Sequence, residues 1–142
     1  MVLFVKRVGI IGGGIMGSQI ADIMAINGKE VIIRDVSEEF TKGAMETVNR
    51  NLDELVKFHA TRAEKEIERI ENKDEIQLSD EQKEKIKNVL KPKFNQESKT
   101  ETVARISTTT NIEDFNDVDL VIEAVVENIE IKKKVFNDLD TH

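Results

Sequence analysis

Gly12, Gly14 and Gly17 carry G-x-G-x-x-G spacing within Gly12-Gly13-Gly14-Ile15-Met16-Gly17, directly after the apolar stretch Val8-Gly9-Ile10-Ile11. Glycines spaced in this way handle phosphate without side chains. The first permits a sharp turn, the second lets the backbone approach a pyrophosphate, and the third lets the following helix pack closely on the strand. The main-chain N–H groups of Gly14, Ile15, Met16 and Gly17 would then point at the phosphates, at the positive end of the helix dipole.

A second chemical group stands at the distance this motif requires. The dinucleotide fingerprint expects an acidic residue about 20 positions on, bonded to the adenosine ribose hydroxyls. Asp35 lies eighteen positions after Gly17, at the end of the apolar run Glu30-Val31-Ile32-Ile33-Arg34. The alternative is a helix cap, because Asp35-Val36-Ser37-Glu38 has capping-box spacing and Ser37 is itself a good N-cap. With the glycine run in place the ribose role is preferred. Arg34 could hold the 2′-phosphate of NADP, but a carboxylate at the strand end repels that phosphate, so NAD is the expected cofactor.

These groups need a scaffold. The sequence predicts a strand over Lys6–Ile11, a helix over Ile15–Asn27 closed by Gly28, and a second strand over Val31–Arg34. Phe40, Ala44, Met45, Val48, Leu52, Leu55, His59, Ala63, Ile67 and Ile70 recur mostly at steps of three and four. They form the stripe of one long helix, from Ser37 to about Glu71, whose far half is expected to project. Asn72 to Leu78 reads as a turn. Ser79-Asp80-Glu81-Gln82 is a capping box opening a helix that stops near Lys91-Pro92, with Ile86, Val89 and Leu90 able to face Ile67 and Ile70 as an antiparallel hairpin. Phe94 to Thr102 reads as a polar loop. A third strand follows over Arg105–Thr108, then one helical turn over Asn111–Phe115. The run from Asp119 to Val125 has the near-continuous apolar character of a buried parallel strand. Asn128 to Leu139 is helical. Strands alternating with helices indicate an α/β fold with a largely parallel sheet: the first half of a dinucleotide fold plus one further strand and helix, with a long helical excursion after strand two.

Composition narrows the classes. The 142 residues suit one domain, with a helical hairpin inserted at about 37–92. A net charge of −7 argues against a general nucleic-acid binder. Without cysteine there is no disulfide framework or thiolate metal site, and two histidines are too few for a typical histidine zinc site, so no metal is expected. Lys6 and Arg7 interrupt the N-terminal apolar residues, unlike a signal peptide, and no segment approaches the ~20 apolar residues of a membrane span. A soluble, cytoplasmic protein without nucleic-acid or membrane partners is expected.

Residues Val8 to Asp35 and Asp119 to Leu139 together resemble the NAD-binding domain of 3-hydroxyacyl-CoA dehydrogenases, which carries a Rossmann-like parallel sheet. The telling segments are Ile11-Gly12-Gly13-Gly14-Ile15-Met16-Gly17-Ser18-Gln19-Ile20-Ala21 and Asp119-Leu120-Val121-Ile122-Glu123-Ala124-Val125-Val126-Glu127-Asn128. The first is shared by several dehydrogenase families. The second, followed by Lys132-Lys133-Lys134-Val135-Phe136, is more specific. The resemblance implies oxidation of a 3-hydroxyacyl-CoA to a 3-ketoacyl-CoA with hydride passing to NAD, as in fatty-acid β-oxidation. It implies that Glu127 and Lys132 reach the nicotinamide half of the cofactor, that Asp35 binds ribose, and that the long helix, with Lys57 on it, lies near the CoA moiety. Read without the resemblance, Glu127 is a carboxylate favouring the next helix's N-terminus, and Lys132 and Lys57 are solvated lysines. The stretch Arg62 to Lys99 is longer than in that family.

The catalytic histidine of the family sits in a segment reading H-F-F-N-P, expected beyond residue 142. Neither His59, on the helical stripe, nor His142, at the final position, has that context. Oxidising a secondary alcohol needs a base for the hydroxyl proton, and this chain offers no matching one. The expectation is therefore a fragment that binds NAD weakly or not measurably and does not turn over acyl-CoA. Its last strand would present an open edge, where self-association is expected. Two other readings stand beside this one: another hydroxyacid or sugar-acid dehydrogenase with a similar first half, and a non-catalytic nucleotide-binding module.

Overall fold

Strand β1 (Arg7–Ile11) owes its place to four buried residues in a row, Val8 to Ile11, which require cover on both faces. The computed structural model describes residues 4–141. After β1 come α1 (Ile15–Ile26), β2 (Glu30–Arg34), α2 (Glu38–Asp74), α3 (Asp80–Val89), α4 (Gln96–Ala104), β3 (Ile106–Thr109), a 3₁₀ turn (Ile112–Phe115), β4 (Leu120–Glu123) and α5 (Ile129–Asp140). The four strands form one sheet in the order β3-β2-β1-β4, and every pairing is parallel. The parallel α/β sheet read from the sequence is the sheet found.

Strand parity sorts the core. Ile10 and Ile33 lie opposite each other in register and share a face. An added Cβ on Gly17 of α1 would touch Ile10, and one on Gly13 would touch Ile33 and Ala44 of α2, so α1 and the start of α2 cover that face. On the other face Ile11 and Ile32 pack with Phe115 and Val135, which brings the 3₁₀ turn and α5 against the sheet. Gly9 belongs to this second face, where any larger residue would strike the Phe115 ring.

The chain divides into two compact units, one formed by the segment up to Asn51 with that from Thr100, the other by Leu52–Lys99. Within the second unit Leu52, Ala63, Ile67 and Phe94 are buried. Ser79 and Gln82 form the reciprocal capping box expected at the start of α3. Lys83 pairs with Glu71 at 2.8 Å, and the Leu78 N–H donates to the same carboxylate at 3.1 Å, which ties α3 to the end of the long helix. Ile70, Ile86, Val89 and Leu90 line one shared groove.

Three expectations need correction. The segment Phe94 to Thr102 is not a loop, because α4 occupies Gln96–Ala104. Its start is a local polar device: the Ser98 N–H donates to Asn95 Oδ1 at 3.0 Å and the Asn95 N–H to Ser98 Oγ at 3.3 Å, the reciprocity of a capping box. Its buried residue is Thr102, a polar type, so no apolar stripe marks the helix. The turn after the long helix begins later than expected, because α2 runs to Asp74 before Glu75 reverses the chain at φ 50°. Finally, β4 is half-buried rather than fully buried, with Leu120 exposed, because it stands at an edge of the sheet with β1 as its neighbour.

Candidate functional site

In a parallel sheet all strands end on the same side. From β1 the chain proceeds to β2 and β3 in one direction, then crosses to β4 on the other side of β1. The C-terminal end of β1 is therefore the point where strand order reverses, the place at which open α/β sheets form a ligand crevice. The glycine run begins there.

The turn is built by contacts that require glycine at two positions. Gly12 has φ +104° and lies against the Ala124 carbonyl, which an added Cβ would approach to 2.7 Å. A Cβ on Gly17 would fall 1.8 Å from the Gly12 carbonyl oxygen, so the first turn of α1 rests directly on the bend. Gly14 differs: an added Cβ there meets nothing within 4 Å. Among the described residues nothing packs where a side chain of residue 14 would stand, which leaves the backbone open to approach. Gly14 is the N-cap residue of α1, and among the described residues no side chain caps this N-terminus. The first intrahelical bond runs from the Ser18 N–H to the Gly14 carbonyl at 3.0 Å. The N–H groups of Ile15, Met16 and Gly17 precede it and have no intrahelical acceptor. The Ile15 and Met16 side chains are exposed. Uncapped amides at an open helix N-terminus suit an anionic phosphate.

The ends of β2 and β4 bracket this turn. Asp35, after β2, accepts the Gly13 N–H at 2.8 Å through Oδ2 and its own neighbour's Val36 N–H at 2.7 Å through Oδ1. It is not the cap of α2, because Ser37 takes that place, accepting the Phe40 N–H at 3.3 Å. Asp35 is partly exposed beside the turn, with unshared lone pairs on both oxygens suited to a diol. Arg34 Nε donates to the Thr110 carbonyl at 3.4 Å.

On the β4 side, Lys132 in the first turn of α5 contacts two carboxylates: Glu127 Oε1 at 2.8 Å and Glu123 Oε2 at 3.2 Å. Hydrogen bonds to Glu127 and then Glu123 raise the Lys132 amine above its ordinary range, so it remains an ammonium. Glu127 and Lys132, expected from the sequence, thus stand together. Glu123 was missed. Its signal was there: a single acid inside an apolar strand, Leu120-Val121-Ile122-Glu123, in register with Ile11 just before the glycines.

The remaining residues fall elsewhere. Lys57 is an exposed residue of α2 in the Leu52–Lys99 unit. His59 is half-buried in the same unit, edge-on to Phe58 with ring centroids 5.4 Å apart. His142 lies outside the described residues. Among the described residues no cluster of acidic residues and histidines could hold a metal ion, and no helix is long and apolar enough to cross a membrane.

Uncapped main-chain amides after β1, a partly exposed carboxylate after β2 and a lysine held by two carboxylates after β4 thus stand at the same end of the sheet. The sequence profile of the 3-hydroxyacyl-CoA dehydrogenase NAD binding domain matches residues 7–84 and 72–142, the two matches overlapping in the segment around α3. A 3-hydroxybutyryl-CoA dehydrogenase of Bradyrhizobium diazoefficiens is 32% identical over 98% of the chain and 36% of its own length. A peroxisomal fatty acid β-oxidation multifunctional protein of Arabidopsis thaliana is 33% identical over 97% of the chain and 14% of its own. Among solved structures, the (S)-3-hydroxybutyryl-CoA dehydrogenase of Ralstonia eutropha superposes with a TM-score of 0.66 at 26% identity, over 97% of this chain and 37% of that one. The 3-hydroxybutyryl-CoA dehydrogenase of Escherichia coli gives 0.67 at 28% identity, over 96% and 22%. The chain spans about a third or less of these relatives, and the glycine turn, the strand order and the matched profile agree: it belongs to the family of NAD-binding domains of 3-hydroxyacyl-CoA dehydrogenases.

Proposed function

We propose that this chain is the NAD-holding portion of an oxidoreductase that converts a 3-hydroxyacyl-CoA to a 3-ketoacyl-CoA. In domain terms it is a Rossmann-type domain with a helical hairpin inserted at about 37–92. The observation that carries the reading is the uncapped N-terminus of α1 at Gly14, open on the side where the sheet reverses its strand order. Gly12, Gly14, Ile15, Met16 and Gly17 cradle the diphosphate, Asp35 takes the adenosine ribose, and Glu127 with Lys132 serves the nicotinamide half. Bound NAD supplies the hydride acceptor. The acyl-CoA substrate follows from the names of the relatives, and Lys57 is assigned to its CoA moiety. The setting is fatty-acid β-oxidation in the cytoplasm.

The alcohol proton must pass to a base as hydride leaves the adjacent carbon. The residues of this chain hold no candidate with the family's context, so the 142-residue chain is inactive alone; its NAD binding is expected to be weak because it carries one βαβαβ half of a dinucleotide fold. NADH formation from 3-hydroxybutyryl-CoA by the purified chain would contradict that. Cofactor choice is tested by titrating NADH and NADPH in parallel, with NADH expected to bind more tightly. Tighter NADPH binding would overturn the role of Asp35. Self-association through the β4 edge is expected to appear as dimer mass in light scattering at high concentration, and a strictly monomeric mass would exclude it.

A further inference from the structure

Lys132 occupies an awkward position. It lies in the first turn of α5, where the helix dipole disfavours a cation, and its long side chain is 29% exposed. Two carboxylates hold it, and they are not alike. The Glu127 side chain is 91% exposed, so its attraction for Lys132 is screened by salt and easily exchanged for another partner. The Glu123 side chain is 16% exposed. Its second oxygen accepts the Val125 N–H at 2.7 Å, which fixes the carboxylate on the strand end. The adjoining Ala124 carbonyl is the group that packs against Gly12. Glu123 is thus a sheltered, backbone-anchored post beside the glycine turn, while Glu127 stands exposed to solvent.

We propose that Glu123 is a positioning residue, clamping Lys132 at the end of β4 so that Glu127 is left to exchange its partner for the bound dinucleotide. This rests on the cofactor reading given above. Bound nucleotide competes with Glu127 for the ammonium, while Glu123 keeps the ammonium from following Glu127 into solvent. Losing the exposed carboxylate therefore leaves Lys132 in place, and losing the sheltered one releases it.

The test reads Lys132 without any cofactor. Trace acylation of the 142-residue chain, followed by mass spectrometry across pH at about 0.5 M salt, compares wild type with E123Q, E127Q and E123D; salt at this level screens the exposed pair far more than the sheltered one. E123Q is expected to acylate at Lys132 about tenfold faster, the size of one lost charge-assisted hydrogen bond. E127Q should rise by less than E123Q, because salt screens the exposed pair, and E123D should recover part of the protection. If E123Q does not fold, the intermediate rate of E123D decides the matter. Equal labelling of wild type and the Glu123 variants overturns the clamp. A parallel NADH titration is expected to show weaker binding in E123Q. No NADH binding by wild type would overturn the cofactor reading, and with it the purpose given to the clamp, while a labelling difference would still show that the clamp exists.

Discussion

The glycine turn and the Leu52–Lys99 unit were built to different tolerances. At the turn, three residues within six positions have distinct geometric duties, and two of them admit no Cβ at all. In the helical unit, α3 buries none of its residues, Val89 is exposed, and its surface carries ion pairs such as Lys85–Glu81 at 2.8 Å. Backbone packed on backbone cannot relax, whereas a charged helix face accepts many sequences.

Substitutions can sharpen that contrast. The largest effect is expected at Gly17. G17A places a methyl 1.8 Å from a carbonyl oxygen, so helix and strand must separate, at a cost of at least ~3 kcal/mol in denaturant unfolding. G14A, three residues away, meets no protein atom. It should cost no more than ~1 kcal/mol, the usual range for an N-cap change, yet weaken NADH binding by more than about tenfold because its methyl occupies the phosphate approach. A G14A chain that binds NADH normally would remove the reason given for that glycine.

Next in size is a buried acid on α1. Asp22 is 6% exposed, accepts Asn51 Nδ2 at 2.8 Å, and leaves Oδ1 without a hydrogen-bond partner among the described residues. Burial pushes its carboxyl up from 3.8 to about 6, against the opposing pull of Asn51. Between those values the folded chain holds a proton that the unfolded chain has released. Stability from this group therefore falls as pH rises from about 4 to about 6 and stays lower above. D22N should gain about 1–2 kcal/mol over wild type at pH 8 and nothing at pH 4, measured by urea unfolding. A gain independent of pH would show that folding does not shift the Asp22 carboxyl.

The smallest effects belong to the helical unit. S79A removes the cap of α3 and should cost ~0.5–1 kcal/mol. E81Q, which breaks an exposed pair, should leave the melting temperature unchanged. A large loss from either would mean that this unit is as tightly specified as the turn.

The same contrast explains what could be read from the sequence. The turn, the first two strands and α1 were legible because each rests on residue types with one geometric use: glycines at the bend and unbroken Val and Ile runs in strands covered on both faces. The long helix was legible from its stripe and α3 from its capping box. Helix α4 was not, because it buries Thr102 in place of an apolar residue and is started by Asn95 and Ser98, whose partnership exists only once the turn has formed. The edge position of β4 was not readable from its apolar run, since neighbours in a sheet are set by chain crossover rather than composition. Asp35, Glu127 and Lys132 were singled out by spacing and resemblance, whereas Glu123, which the structure places against Lys132, lay unmarked at the end of its strand. Its meaning depends on Lys132, nine residues away in sequence and 3.2 Å away in space.

The central claim is that main-chain amides at the start of α1 receive a diphosphate. Amide ¹H–¹⁵N shifts of the 142-residue chain, followed while NADH is added to millimolar concentration, test it directly. Saturable movement of the Gly14, Ile15, Met16 and Gly17 signals, lost in G14A, is the predicted result. Unmoved signals at these four residues, or shifts that survive G14A unchanged, would contradict it.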